Sequence, residues 1–399
     1  MTSWRGPLQG VRVLDFTRVL AGPYATLLLA DQGAEVIKVE SVDKGDDTRS
    51  FPPMRDGQSH YFIALNRNKK SLALDLKSDK GRKIARDLVA HSDVLVENFR
   101  PGVMKRLGLG YEELAAINPR LIYCSISGFG AEGPLADKPS FDIVTQALSG
   151  AMSVNGEPGG RPTKLGIPLG DMGGGVYASI AILSALLEAR TTGRGRAIDI
   201  SLLDSLMGML GYLAQIQLVT GKPPAPVGTK HPNLIPYGAY ETSDGYIIIA
   251  CLTEGFWHNL ANAIRRGDLI ADERFATYSA RLKNRNDLDS IVDEALSRKP
   301  TGEWLKILDE YDVPHAPILD VAEALSQENT IARGMLSKAV HPVLGDIPMI
   351  DNPINYVGEA RPELAPPRFL GENSDEVISS MLGMGEEEIV ALRNEGVIG

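Results

Sequence analysis

The residue best suited to covalent chemistry in this sequence is Asp171. It lies in Ile167-Pro168-Leu169-Gly170-Asp171-Met172-Gly173-Gly174-Gly175, an acid among four glycines at the start of an apolar run. A carboxylate can attack an activated acyl carbon and carry the group for a moment. Glycines would let a large group come close to it. Free N–H groups at a helix start would stabilise an oxyanion on that group. The simpler reading is a helix N-cap, where aspartate is favoured because its oxygens accept orphan amides. An N-cap has no need of four glycines, yet the residues alone leave both readings open.

Other chemistries lack their residues. A dinucleotide site needs GxGxxG straight after the first strand, and that turn, Thr17-Arg18-Val19-Leu20-Ala21-Gly22-Pro23, has one glycine. No Lys-Ser/Thr pair follows Gly170 to Gly175, so it is not a phosphate loop. There is no GxSxG. His60, His91, His231, His258, His315 and His341 are scattered without metal spacing. Cys124 and Cys251 form no CxxC and read as reduced core thiols.

The elements that must position Asp171 follow a repeating pattern. Val11 to Phe16 reads as a buried strand, Tyr24 to Gln32 as a helix, and Val36 to Glu40 as a strand. This is a βαβ unit, which implies a parallel sheet. Further strands are expected at Ser71 to Leu76, Val94 to Asn98, Leu121 to Ile126 and Ala197 to Leu202. Helices are expected at Gly81 to His91 and Leu203 to Leu218. Asp171 to Arg190 reads as a glycine-rich turn feeding a helix that is apolar nearly all round, hence central. The expected fold is α/β: a large Rossmann-like, doubly wound parallel-sheet domain with a smaller α+β domain. The large domain is drawn over 1–220. Gly221 to Pro226 is proline-rich, so 221–232 is a linker, 233–325 the small domain, and 326–399 a C-terminal part rejoining the large one.

Composition sets the partners. The chain has 399 residues, a net charge of −10 and ordinary apolar and charged fractions of 43% and 23%. An acidic surface disfavours nucleic acid, while a small anion needs only a local basic pocket. The apolar stretch Val176 to Leu187 is short for a bilayer, and no apolar signal core follows the N-terminus. No membrane partner is expected, and the cytoplasm is the expected compartment.

Several ordered motifs resemble one family. They are Leu14-Asp15-Phe16-Thr17-Arg18-Val19-Leu20-Ala21-Gly22-Pro23, Gly33 to Glu40, Gly45-Asp46-Asp47-Thr48-Arg49, Asn66 to Ser71, Val96-Glu97-Asn98-Phe99-Arg100-Pro101-Gly102, Gly193-Arg194-Gly195 and Leu370 to Val377. Together they resemble the class III CoA-transferases, the formyl-CoA transferase and carnitine CoA-transferase group. The resemblance implies a transferase with Asp171 as nucleophile, passing through anhydrides and an aspartyl-CoA thioester. It implies coenzyme A as substrate and carrier, with no permanently bound cofactor and no metal. Acyl-CoA and small carboxylic acids would be its partners. The CoA groove would use Val19, Ala21, Leu74, Lys77, Asn98, Phe99, Arg100, Arg106 and Lys138, with Lys69 and Lys70 as further cations. The resemblance also implies a homodimer of two interlocked rings.

Departures choose among relatives. Racemases of 2-methylacyl-CoA pair an aspartate with a histidine in Gly-His-Asp. Here the stretch is Ser140-Phe141-Asp142, and phenylalanine cannot exchange a proton. Formyl-CoA transferases carry a glycine run where this chain has Cys251-Leu252-Thr253-Glu254-Gly255-Phe256-Trp257, which speaks against formyl/oxalate specificity. Gly228 to Tyr237 is more similar to enzymes that use succinyl-CoA and dicarboxylates. A second carboxylate needs a cation, and Arg18, Arg49 and His231 are the candidates.

Overall fold

The structure, a computed structural model, describes residues 6–399. The chain divides into two units. One takes the chain up to Met152, then Lys164–Pro223 and Ile331–Gly399; the other takes Ser153–Thr163 and Pro224–Thr330. The short excursion at 153–163, Ser-Val-Asn-Gly-Glu-Pro-Gly-Gly-Arg-Pro-Thr, is rich in glycine and proline, yet the sequence reading does not separate it.

The first unit is built on six parallel strands: β1 (Arg12–Asp15), β2 (Glu35–Glu40), β3 (Lys69–Ala73), β4 (Val94–Glu97), β5 (Ile122–Ser127) and β6 (Arg196–Ser201). Their order is β3-β2-β1-β4-β5-β6. This is the doubly wound order, which opens a crevice beyond the carboxyl ends of β1 and β4 where the winding reverses. Strand period sends neighbouring side chains to opposite faces. Val13, Val36 and Val96 pack on one face, Leu14, Ile37 and Leu95 on the other. Both faces are apolar because both are covered.

Helices α1 (Ala21–Ala30) and α6 (Leu169–Thr192) cover the Val13 face; α3 (Asp79–Val89), α4 (Tyr111–Ile117), α11 (Ser374–Leu382) and α12 (Glu386–Asn394) contribute to the other. The edge of β3 is closed by the end of the chain. Asp75 N–H donates to the Val397 carbonyl at 2.9 Å, and the Ser71 amide donates to Asn373 Oδ1 at 3.1 Å. Pairing an edge in this way removes a site of unwanted strand addition.

Three local expectations change. Gly170, Gly173, Gly174 and Gly175 lie inside α6, not in a turn ahead of it. Leu202 starts a helix and does not end a strand. The single helix read over 203–218 is two, α7 (Leu202–Met209) and Tyr212–Thr220, bent by 76° around Gly211. Gly211 has φ +53° and ψ −125°, a positive-φ conformation that glycine adopts without strain and that breaks the helix.

The second unit has three antiparallel strands, β7 (Tyr237–Glu241), β8 (Tyr246–Ala250) and β9 (His315–Pro317), with β8 central. Helices α8 (Glu254–Ala263), α9 (Arg285–Leu296) and α10 (Thr301–Glu310) bury Trp257, Leu288 and Trp304 with Phe275. The buried Tyr240 hydroxyl donates to Asp289 at 2.9 Å, and Asp289 also pairs with Lys230.

Helix α6 packs on α1 at backbone distance. A Cβ on Gly175 would lie 2.8 Å from the Ala21 carbonyl oxygen and 3.0 Å from the Tyr24 ring. A backbone atom cannot yield as a side chain does. Gly175→Ala is therefore expected to cost about 1–3 kcal/mol, read as a lower urea midpoint at unchanged slope.

Candidate active site

The β1–α1 turn is held from below by buried charges. Lys38 donates to the Thr17 carbonyl at 2.8 Å and pairs with Asp46 at 2.8 Å. Lys69 pairs with Asp15 at 3.1 Å and donates to the Pro23 carbonyl at 2.9 Å. Thr26 donates to the same Asp15 oxygen at 2.6 Å. Burial opposes every one of these charges. The neighbouring cations nonetheless hold Asp15 below the usual carboxylate range, and Lys38 with the Thr48 bonds holds Asp46 at about 2. Burial brings Lys69 down to about 8 despite Asp15. Above this network Val19 is held at φ +67°, with its amide directed to Asp46 Oδ1 at 3.3 Å. A β-branched residue in that region is strained, and such strain gathers at functional sites.

Across the crevice, Asn98 clamps the same turn. Its Oδ1 accepts the Arg18 amide at 2.9 Å, and its Nδ2 donates to the Arg18 carbonyl at 2.7 Å. The Arg18 guanidinium lies 5.8 Å from the Phe99 ring centroid and pairs with Asp47 at 3.2 Å.

Two clefts open here. One, of about 270 Å³, is lined by Arg18, Val19, Ala21, Asn98, Phe99, Arg100, Lys138, Phe141 and Asp171 among others. The second, of about 300 Å³, is lined by Arg18, Lys44, Asp47, Leu74, Lys77 and Phe99. Arg18, Asp47 and Phe99 belong to both, so the clefts adjoin. The structure thus brings eight of the nine residues expected around CoA to one crevice. Arg106 lies outside both clefts, at the exposed end of the short helix Val103–Arg106.

Some expected ligands are engaged elsewhere. Arg49 grips Glu40 with two bonds of 2.7 Å, donates to the Arg368 carbonyl and lies 3.8 Å over Phe62. Its planar fork is filled by Glu40, so it cannot also hold a substrate carboxylate. Lys69 is sealed against Asp15. Lys70 bridges Glu35 and Glu376. His231 belongs to the second unit, where its Nδ1 accepts the amides of Asn233 and Leu234 and burial lowers its basicity.

Asp171 is the third residue of α6, and the cap position is Pro168. It does not cap the helix. That task falls to Asp142, the first residue of α5 (Asp142–Leu148), whose Oδ1 accepts Gly170 N–H at 2.8 Å and Asp171 N–H at 3.3 Å. Gln146 donates to the other Asp142 oxygen at 2.6 Å. The Leu169 amide donates to Ile167 and that of Met172 to Pro168. The helix-start amides are therefore occupied, and the oxyanion site expected from them is not free.

The glycines also do something other than expected. A Cβ at Gly170 would meet Asp142 and Thr145, at Gly173 Met209, at Gly174 Leu202, and at Gly175 Ala21. All four serve protein packing rather than room for a ligand. They bring the first turns of α6 against α5, α7 and α1, which sets the height of Asp171 in the cleft.

No hydrogen bond or ion pair reaches the Asp171 carboxylate among the described residues. Burial, with the Asp142 charge beside it, pushes it up to about 7. Sequence reasoning missed Asp142 as a partner of Asp171 and treated it only as the neighbour of Phe141. It also missed Tyr61 in α2 (His60–Leu65), whose hydroxyl burial and the charges of Asp171, Asp46 and Asp142 push up. Phe141, 74% exposed, lines the Asp171 cleft and brings no proton to it.

A doubly wound sheet with a half-buried, unpartnered carboxylate at its switch-point crevice defines an α/β enzyme equipped for acyl transfer. Residues 8–374 match the model of CoA-transferase family III. Acetyl-CoA:oxalate CoA-transferase of Acetobacter aceti is 42% identical over 91% of this chain and 92% of its own. Succinyl-CoA:glutarate CoA-transferase of Homo sapiens is 36% identical over 98% of this chain and 90% of its own. The crystal structure of a CaiB/BaiF family protein from Brucella suis matches with a TM-score of 0.84 at 39% identity, covering 95% of this chain and 100% of that one. The chain belongs to the class III CoA-transferase family and is a CoA-transferase.

The electrostatics of Asp171 are testable through stability. Its folded pKa, about 7, lies above the ordinary carboxylate value of 3.8. Below the lower value the carboxyl is protonated in both states and costs nothing. Between the two values only the unfolded chain ionises freely, so wild-type stability falls as pH rises. Asp171→Asn should therefore raise the melting temperature at pH 8, and its advantage should fade toward pH 4. An advantage equal at both pH values would refute the burial argument.

Proposed function

We propose that this enzyme moves CoA from an acyl-CoA donor, succinyl-CoA first, to a dicarboxylic acid through a covalent thioester on Asp171. The observation that carries the reading is the bare Asp171 carboxylate at the foot of a cleft lined by residues suited to CoA. Arg18, Arg100, Lys138 and Lys77 would meet its phosphates, and Phe99 offers an apolar face to its adenine.

The chemistry balances without a base. The Asp171 carboxylate attacks the thioester carbonyl, the C–S bond breaks, and CoA leaves as thiolate from a mixed anhydride. The thiolate attacks the Asp171 carbonyl carbon, the anhydride C–O bond breaks, and the donor acid departs as carboxylate. The acceptor carboxylate attacks the aspartyl thioester and releases the thiolate again. That thiolate attacks the acceptor's carbonyl, yielding the new acyl-CoA and the free Asp171 carboxylate. No proton moves in any step. This agrees with an Asp171 cleft that no histidine lines among the described residues. Poor solvation raises the carboxylate's nucleophilicity, and exclusion of water protects the anhydrides.

Arg18 is the cation we assign to the acceptor's far carboxylate, with Arg49 and His231 engaged elsewhere. Relatives named for oxalate and for glutarate are both similar to this chain, so both acids belong in the acceptor panel. The interlocked homodimer and the cytoplasm belong to the same proposal. Exposed Ile180, Leu187, Met207 and Met209 on α6 and α7 support a covered face in the assembly.

Asp171→Ala should abolish exchange with the fold retained, and intact-mass spectrometry of the wild type with succinyl-CoA should find a CoA adduct absent from the variant. A fully active variant would sink the nucleophile. Only the carboxylate attacks, so kcat/KM for the donor should fall about tenfold per pH unit below a midpoint near 7. With succinyl-CoA as donor, faster turnover on monocarboxylates than on any dicarboxylate would overturn the acceptor class.

A further inference from the structure

Glu97 closes β4 where the chain turns into the clefts, and no step of the transfer chemistry uses it. It is 7% exposed and forms no ion pair among the described residues. One carboxylate oxygen accepts the Phe99 amide at 2.8 Å; the other accepts the Ser125 hydroxyl at 2.6 Å. Phe99 enters both clefts and lies beside Arg18. Ser125 sits on the next strand, β5, and Ile126, Ser127 and Gly128 after it line the Asp171 cleft. A single side chain thus joins the β4 wall of the crevice to the β5 wall. An acid is an unfavourable filler for such a buried position. Burial pushes it up to about 7, with the Asp199 charge on β6 adding to the rise, despite both hydrogen bonds. Apolar filling would be cheaper if packing were its only role.

We propose that Glu97 is a positioning residue for acyl-CoA: it ties the Phe99 turn to Ser125 and so fixes the shape of the crevice that receives the CoA moiety. The inference rests on the CoA cleft assigned above. The tie needs one group that accepts from the Phe99 amide and one that bonds to a hydroxyl. Ser125 both donates and accepts, so protonated Glu97 keeps both links, and glutamine keeps them too. Alanine removes both.

Steady-state kinetics of the full-length enzyme test this. Glu97→Ala should raise the acyl-CoA KM about tenfold, with kcat and the acceptor KM within about twofold of wild type. Glu97→Gln should restore the acyl-CoA KM. Ser125→Ala, a milder change that serves if the Glu97→Ala chain does not fold, should raise it by a smaller factor. Phe99→Ala separates the inference from the reading beneath it. If Phe99→Ala leaves the acyl-CoA KM unchanged, the cleft is not the CoA site and both fall. If it raises that KM while Glu97→Ala and Ser125→Ala do not, the positioning role alone falls. A glutamine variant as impaired as alanine also overturns the tie, since it retains both hydrogen bonds.

Discussion

The close approach of α6 to α1 is the constraint on which the site depends. Gly175 touches the Ala21 backbone, and Gly173 and Gly174 admit Met209 and Leu202 of α7. A helix packed through side chains would stand several ångströms further off. Asp171 lies one turn before Gly175 on the same helix, so the packing distance decides where its carboxylate sits. The strand order completes the placement. At the β1/β4 reversal a crevice opens, and the turns after those two strands carry Arg18, Val19, Asn98 and Phe99.

The β1–α1 turn lies over a layer of buried ions, and the two features belong together. Asp15, Lys38, Asp46 and Lys69 are almost wholly buried. Replacing such a set by apolar residues is often no less stable, so stability alone is a weak account of it. Its geometry offers a better one. Lys38 and Lys69 each end on a backbone carbonyl of the turn or of α1, at Thr17 and Pro23, and Asp46 faces the Val19 amide. The ions fix a backbone that would otherwise relax away from the left-handed conformation at Val19.

Asp142 and Asp171 show how one local structure gives two acids opposite surroundings. Asp142 receives two helix amides and the Gln146 side chain, while Asp171 receives nothing and is pushed up to about 7. The same capping that satisfies the helix start leaves Asp171, the proposed nucleophile, bare.

The order of strands and helices was legible because apolar runs of strand length alternate with amphipathic segments, and both periods are local. The family was legible from motifs in fixed order. Asp171 was singled out by its setting among glycines. Their purpose was not legible, because a missing Cβ looks the same in sequence whether a ligand or another helix fills the space. The engagement of Arg49 by Glu40, nine residues away, was equally hidden: an arginine's partner depends on which strand and turn the fold brings together. The pairing of Asp142 with the α6 amides spans 28 residues and exists only once α5 and α6 have packed. Sequence by itself determined which residues this enzyme has for its chemistry, since residue types and periods are properties of the chain. Tertiary structure alone decided which of them are bare and which are bound, since solvation and partnership are set by contacts between distant segments.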